Sequence, residues 1–153
     1  MKMRFITAVV AFSITFGFST VLAGLLGENN QTGQKISSLL ERDIANGQEM
    51  DEISQFAYSP FEYAEVVTEY VDNSQAIDDT NLPADFRFAW QTHMQAWRMH
   101  ANFLSRNDYL KKKISAEEIS KITTEQKYEI LTTWMNVLKI ARRYDAVIPF
   151  NAY

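Results

Sequence analysis

The sequence predicts an all-α protein: an antiparallel bundle of four main helices with short extra helical segments, after an N-terminal signal peptide. Apolar residues recur at intervals of three and four in the segments after the signal, which is the spacing of one helix face. Three capping boxes and well-placed prolines mark helix starts. A composition of 46% hydrophobic and 13% aromatic residues favours a packed domain over disorder.

The N-terminus has the features of an export signal. Lys2 and Arg4 precede a long apolar run, and a small-x-small cleavage pattern ends at Ala23. We therefore expect residues 1–23 to be a cleaved signal peptide. An uncleaved inner-membrane anchor over residues 5–26 is the alternative. Both place the rest of the chain outside the cytoplasm, in the periplasm or as a secreted protein.

Residues 24–32 are polar and contain glycine, so we expect a flexible tether, followed by a single helical domain over residues 33–153. The chain has no cysteine. Disulfides, thiolate metal sites and covalent haem attachment through Cys-x-x-Cys-His are therefore excluded.

Charge divides the chain into two halves. Residues 24–85 carry thirteen acids and two bases, whereas residues 86–153 carry six acids and eleven bases. The two halves attract each other within one molecule or form a dipolar surface that orients a partner. A net negative chain with scattered bases is a poor nucleic-acid binder, so no nucleic-acid partner is expected.

The first half predicts two main helices and one short segment. A first helix covers residues 33–46 and ends at Gly47, which is a stop signal, and a short helical segment covers residues 49–58. The capping box that begins at Ser59 opens a second helix over residues 60–72. Four carboxylates fall on one face of that second helix, which is typical of a solvated face or of one that meets basic side chains.

The third main helix, residues 83–106, contains two of the three tryptophans and both histidines. Pro83 suits the first helical position. At about 100° per residue, one arc of about half the helix is apolar, aromatic or histidine. The aromatic side chains expected in the core of the whole domain are Phe86, Trp90, Trp97, Phe103 and Trp134.

Two further capping boxes predict a short helix over residues 115–122 and a fourth main helix over residues 124–144. The apolar stripe of the fourth main helix is centred on Trp134, so the simplest packing places this helix against the third main helix. Thr133 and Glu129 border this stripe and are candidate partners for a buried histidine. The tail that follows, which contains Pro149, is expected to be extended and docked on the helices.

His93 and His100 lie at the middle of the apolar arc, about 10 Å apart at about 1.5 Å rise per residue, which is too far for one metal ion. Each is interpreted as a neutral core histidine, as a ligand of haem or a divalent metal with help from another helix, or as a pH sensor. No Glu-x-x-His pair exists, so a ferritin-like di-iron site is not supported. Met94 and Met99 point to different sides of the helix, which argues against copper.

Three functions follow from these observations. The first is a non-enzymatic protein that acts through protein–protein contacts in the cell envelope, touching a membrane only through an uncleaved N-terminal segment. The alternative is a haem- or metal-binding bundle that uses His93 or His100. The third, an enzyme with a histidine base, is disfavoured because a base needs access to substrate, and no Gly-x-Ser-x-Gly elbow or cysteine nucleophile is present.

Overall fold

The computed structural model describes residues 31–106 and 114–152, and these residues form four α-helices with no strand. The all-α prediction is therefore confirmed for this part of the chain. The helices are α1 (Gln31–Ser54), α2 (Pro60–Gln75), α3 (Ala84–Ser105) and α4 (Ala116–Arg143). The expected signal peptide or anchor and most of the tether lie outside the described residues.

Helix α1 joins the first predicted helix to the short segment after it, so the predicted stop at Gly47 is wrong. A glycine inside a helix costs about 1 kcal/mol relative to alanine, and packing on both sides of it offsets that cost. Ile44 and Met50 both pack against the core, and the Gly47 backbone lies close to the Tyr70 ring. The helix also begins at Gln31, two residues earlier than expected.

Helix α2 begins where its capping box predicts. The Ser59 hydroxyl accepts from the Glu62 backbone N–H at 3.2 Å, and the Glu62 carboxylate accepts from the Tyr58 N–H at 2.6 Å. Of the acidic face, Asp72 forms an ion pair with Arg98 of α3 at 2.6 Å. The other three carboxylates of that face are exposed.

Helix α4 begins at the predicted cap, where Ser115 accepts from the Glu118 N–H at 3.1 Å. The capping box at residues 123–126 does not start a helix, because α4 runs through it without a break. The Thr124 hydroxyl donates to the carbonyl one turn earlier, and the Gln126 side chain contacts His100 at 3.0 Å. Two residues of this box thus form side-chain hydrogen bonds inside a continuous helix.

Helices α1 and α2, α2 and α3, and α3 and α4 pack against each other extensively, whereas α1 and α4 barely touch. Asp85, at the start of α3, forms an ion pair with Arg143 and accepts from the Tyr144 hydroxyl at 2.8 Å, both at the end of α4. Near the other end of α3, His100 meets Gln126. Helices α3 and α4 therefore run in opposite directions.

The core is built mainly from the inner faces of α1 to α4, and its largest fully buried side chains include Trp90 and Phe86. The C-terminal tail joins it, as expected, because Ala146 and Ala152 are buried. Its backbone is fastened at Val147, whose N–H donates to Ser37 Oγ at 2.8 Å. Among the residues described, no helix has the length and hydropathy needed to cross a membrane.

Candidate functional site: a cleft between α1 and α4

A cleft of about 380 Å³ opens where α1 and α4 fail to close on each other. Helix α1 forms one wall with Asp43 and Gly47, and α4 forms the other with Trp134. Helix α3 supplies the floor with His93 and Trp97. The absence of a side chain at the glycine leaves room in the α1 wall.

Aromatic rings line the inner part of this cleft. Tyr70 of α2 meets Trp97 edge-on, with ring centroids 5.0 Å apart, and His93 lies 5.1 Å from Trp134. The tail closes one end, since the Trp134 Nε1–H donates to the Ala152 carbonyl at 2.7 Å. Of the five aromatic residues singled out in the sequence, two therefore line the cleft. The other three, Phe86, Trp90 and Phe103, are buried outside it.

His93 is only 3% exposed. Its Nδ1 lies 3.0 Å from Thr133 Oγ1, and the backbone carbonyls of Glu129 and Ile130 lie 2.9 and 3.0 Å from the same hydroxyl, which has one hydrogen to donate. When that hydrogen goes to a carbonyl, the threonine oxygen accepts from Nδ1–H and the lone pair is on Nε2; when it goes to Nδ1, the proton is on Nε2. Burial lowers the pKa of His93 to about 4, although the Ile130 carbonyl opposes this, so the ring is neutral at pH 7.

The expectation that Thr133 would be the partner of a buried histidine is confirmed. Glu129 contributes through its backbone carbonyl and not through its side chain. His100 is 2% exposed, but it does not line the cleft. The structure therefore does not bring the two histidines to one site. Across residues 31–106 and 114–152, no cluster of three His, Cys, Asp or Glu side chains is placed to hold a metal ion.

Asp43 is the site residue that sequence reasoning missed. It is 4% exposed, and it accepts from the Tyr70 hydroxyl at 3.0 Å and from Ser74. Burial raises the pKa of Asp43 to about 6, against the opposing effect of these hydrogen bonds, so the carboxylate is mostly ionised at pH 7. One sequence signal was available: an acid stands within the apolar stripe of α1, between Leu40 and Ile44.

Asp43 also acts on its neighbour. Burial, together with this carboxylate, raises the pKa of Tyr70 well above 10, so the phenol stays protonated and remains a donor. No Lys or Arg side chain in the described part of the chain forms a salt bridge with Asp43. The Asp43 carboxylate is therefore hydrogen-bonded, and no basic side chain among the residues described supplies a countercharge.

The mouth of the cleft is polar. Asp51 and Gln48 of α1 stand on one side, and Lys127 of α4 stands on the other, all exposed. Asn151 of the tail adds an exposed side chain at the end. An apolar interior with a few inward polar groups and a solvated rim is the usual architecture of a small-molecule site.

No protein-family model matches the chain, and neither the curated proteins nor the solved structures include a significant match.

Proposed function

We propose that this protein is an exported, non-enzymatic binding protein whose ligand site is the cleft between α1 and α4. The observation that carries this proposal is a cleft of about 380 Å³ whose lining combines two buried polar side chains, His93 and Asp43, with aromatic rings. This volume lies within the range of about 300–1,000 Å³ that small-molecule sites occupy. A histidine with a pKa of about 4 is a weak base at neutral pH, which supports binding over catalysis.

A matched pair of variants tests the cleft. Gly47→Leu places a large side chain on the α1 wall of the cleft, whereas Ala45→Leu places the same side chain on an exposed position of the same helix. A fragment library is screened against the wild type and both variants by ligand-observed NMR. We expect cleft ligands to lose at least tenfold in affinity with Gly47→Leu and to keep their affinity with Ala45→Leu. A screen that finds no ligand, or an equal loss of affinity in both variants, contradicts the proposal.

We also propose that the four helices form an antiparallel bundle and that residues 1–23 direct export. The opposed course of α3 and α4 supports the first statement, and the n-region, apolar run and cleavage pattern support the second. N-terminal sequencing of protein recovered from an exporting bacterial host checks the second, with Gly24 expected as the new first residue. A retained Met1 in the membrane fraction supports the anchor over residues 5–26 instead.

Protein–protein contact is the second candidate function, and an exposed apolar groove at the α1–α2 turn favours it. The groove measures about 270 Å³ and contains Ile53 and Phe56, with exposed fractions of 41% and 71%. Three exposed carboxylates, Glu62, Glu65 and Glu69, line the same groove. This combination suits a protein partner that presents basic side chains around an apolar patch.

Site-specific photo-crosslinking in cells tests this second candidate. A crosslinker at position 56 is compared with one at position 88, where Phe88 is equally exposed but lies on α3. We expect a discrete basic partner at position 56 only, lost when the three groove carboxylates are changed to glutamine. Identical products at both positions contradict the candidate.

Haem or a divalent metal at His93 remains the alternative among cofactors. Thr133 lies where it can accept from the Nδ1–H of His93, and metal-ligating histidines usually donate one ring N–H while the other ring nitrogen binds the metal. Metal analysis and an absorption spectrum of protein purified from its native compartment test this alternative. A stoichiometric metal or a Soret band lost on His93→Ala supports it, and a clean spectrum removes it. His100→Ala serves as the comparison, because His100 lies outside the cleft.

A further inference from the structure

We propose that the ligand of the cleft is an organic amine in its ammonium form, bound between the Asp43 carboxylate and the rings of Trp97 and Trp134. This inference rests on the proposed function of the cleft and specifies the chemical class of its ligand. It follows from three features of the lining: a buried negative charge, aromatic faces and a surplus of hydrogen-bond acceptors.

The buried charge is that of Asp43. Buried carboxylates in proteins are paired with a cation, because hydrogen bonds from neutral groups do not cancel the cost of removing a charge from water. Tyr70 and Ser74 donate neutral hydrogen bonds to it, and no basic side chain of the described residues pairs with it. Since Asp43 lines the cleft, a bound cation can supply the missing countercharge.

The aromatic faces favour an organic cation over a metal ion. Trp97, Trp134 and Tyr70 line the same space, and a cation within about 6 Å of an aromatic centroid is attracted to the face of the ring. Aliphatic side chains, Ile44 and Ile130 among them, provide apolar surface for the body of the ligand. A hydrated metal ion makes no use of such a lining.

The inner polar groups of the cleft offer more hydrogen-bond acceptors than free donors. Asp43 presents carboxylate oxygens, and His93 presents the Nε2 lone pair when its Nδ1–H is donated to Thr133. The Tyr70 hydroxyl hydrogen is already donated to Asp43. A ligand with N–H donors satisfies these acceptors, whereas a carboxylate ligand meets a second negative charge at Asp43. Lys127, the one basic residue of the lining, is exposed at the mouth.

Three probes of one shape test this assignment: 2-phenylethylammonium, 2-phenylethanol and 3-phenylpropionate. Their affinities for the protein expressed from the full chain are measured by isothermal titration calorimetry at pH 7.5. We expect the amine to bind at least tenfold more tightly than the alcohol, and the carboxylate to bind most weakly. An amine no tighter than the alcohol, or a carboxylate that binds best and is lost on Lys127→Gln, overturns the assignment.

Asp43→Asn provides the variant, because the amide keeps an acceptor for Tyr70 while removing the charge. We expect a loss of tenfold or more in amine affinity and an unchanged affinity for the alcohol. Asp78→Asn, in the loop before α3 and outside the cleft, is the matched control and leaves both affinities unchanged. Equal amine affinity in Asp43→Asn and the wild type overturns the assignment.

A pH series on the wild type gives the same test without a variant. With a pKa of about 6, Asp43 is mostly ionised at pH 7.5 and about one-tenth ionised at pH 5, so amine affinity should fall about tenfold. The other charged or titratable groups that line the cleft are Asp51, Tyr70, His93 and Lys127. His93 gains its proton near pH 4, below this window, and the Tyr70 phenol loses its proton far above it. Amine affinity that does not change with pH overturns the assignment.

These outcomes separate the two proposals. Fragments that occupy the cleft without any preference for the amine remove the ligand class and leave the cleft as a binding site. A cleft that binds no fragment removes both.

Discussion

Two buried ionisable groups of the cleft should change the free energy of unfolding in opposite directions as the pH falls. A single substitution at either group should reveal the effect of that group. The fold keeps His93 neutral, with its pKa lowered from 6.5 to about 4. The same environment favours the protonated form of Asp43, whose pKa is raised from 3.8 to about 6. We compare two variants, His93→Gln and Asp43→Asn, with the wild type from pH 7 to pH 4.

The sign of each effect follows from proton linkage. The stability contributed by neutral His93 is complete above pH 6.5 and is lost as the pH falls through about 4, because the unfolded chain takes up the proton first. The stability contributed by protonated Asp43 is complete below pH 3.8 and is lost as the pH rises through about 6. Each pKa differs between the folded and unfolded states by more than two, which corresponds to about 3 kcal/mol in full at about 1.4 kcal/mol per unit, and about 2–3 kcal/mol of this falls between pH 7 and pH 4. In the wild type the two effects largely offset each other between pH 6.5 and 4.

Urea unfolding measures the free energy of unfolding of each variant relative to the wild type, so that contributions from the surface carboxylates cancel. On going from pH 7 to pH 4, His93→Gln should gain about 2–3 kcal/mol relative to the wild type, and Asp43→Asn should lose a similar amount. Asn102→Ala, an exposed neutral change on α3, should run parallel to the wild type. Parallel curves for His93→Gln and the wild type would show that His93 is not buried as a neutral ring.

Three smaller predictions concern the backbone, each checked by the midpoint of chemical unfolding. Gly47→Ala should raise the free energy of unfolding by about 0.5–1 kcal/mol, because alanine favours a helix over glycine. The new Cβ fits, since it lies at an ordinary contact distance of 3.8 Å from the Tyr70 ring. A decrease would show that α1 is strained there. Ser59→Ala should lower it by about 1 kcal/mol through loss of the α2 cap, and no change would exclude that role. Asp145 has φ 55°, a left-handed conformation that valine adopts poorly and glycine adopts readily. Asp145→Val should therefore lower the free energy of unfolding by about 1–2 kcal/mol more than Asp145→Gly, and equal decreases would contradict this conformation.

Local signals were sufficient for the parts of the fold that depend on neighbours in sequence. The caps at Ser59 and Ser115 were predictable because side chain and backbone partner are three residues apart. The same kind of signal failed at Gly47 and Thr123, where tertiary contacts hold a continuous helix across a local stop or start. Local propensity is a weak prior wherever such contacts compete with it.

In the candidate site, too, some features were predictable from the sequence and others were not. The pairing of His93 with Thr133 was predictable because His93 lies in the middle of the apolar arc of α3, Thr133 borders the apolar stripe of α4, and these two helices pack together. For Asp43 the only signal was its position in the apolar stripe of α1, and its hydrogen bond from Tyr70 was not predictable, since it depends on where another helix comes to lie. The cleft itself arises because α1 and α4 barely touch, and no sequence pattern within either helix predicts how closely the two approach each other.

The central claim is that the cleft between α1 and α4 is a ligand site, and the indole signals of the three tryptophans test it most directly. A titration with 2-phenylethylammonium is followed by two-dimensional ¹H–¹⁵N NMR. Trp97 and Trp134 line the cleft, whereas Trp90 is buried outside it. We predict that the indole N–H signals of Trp97 and Trp134 shift on titration and that the Trp90 signal stays in place. Unchanged indole signals, both with this amine and with the fragments from the screen, or shifts confined to the groove around Phe56, would show that the cleft is not the ligand site.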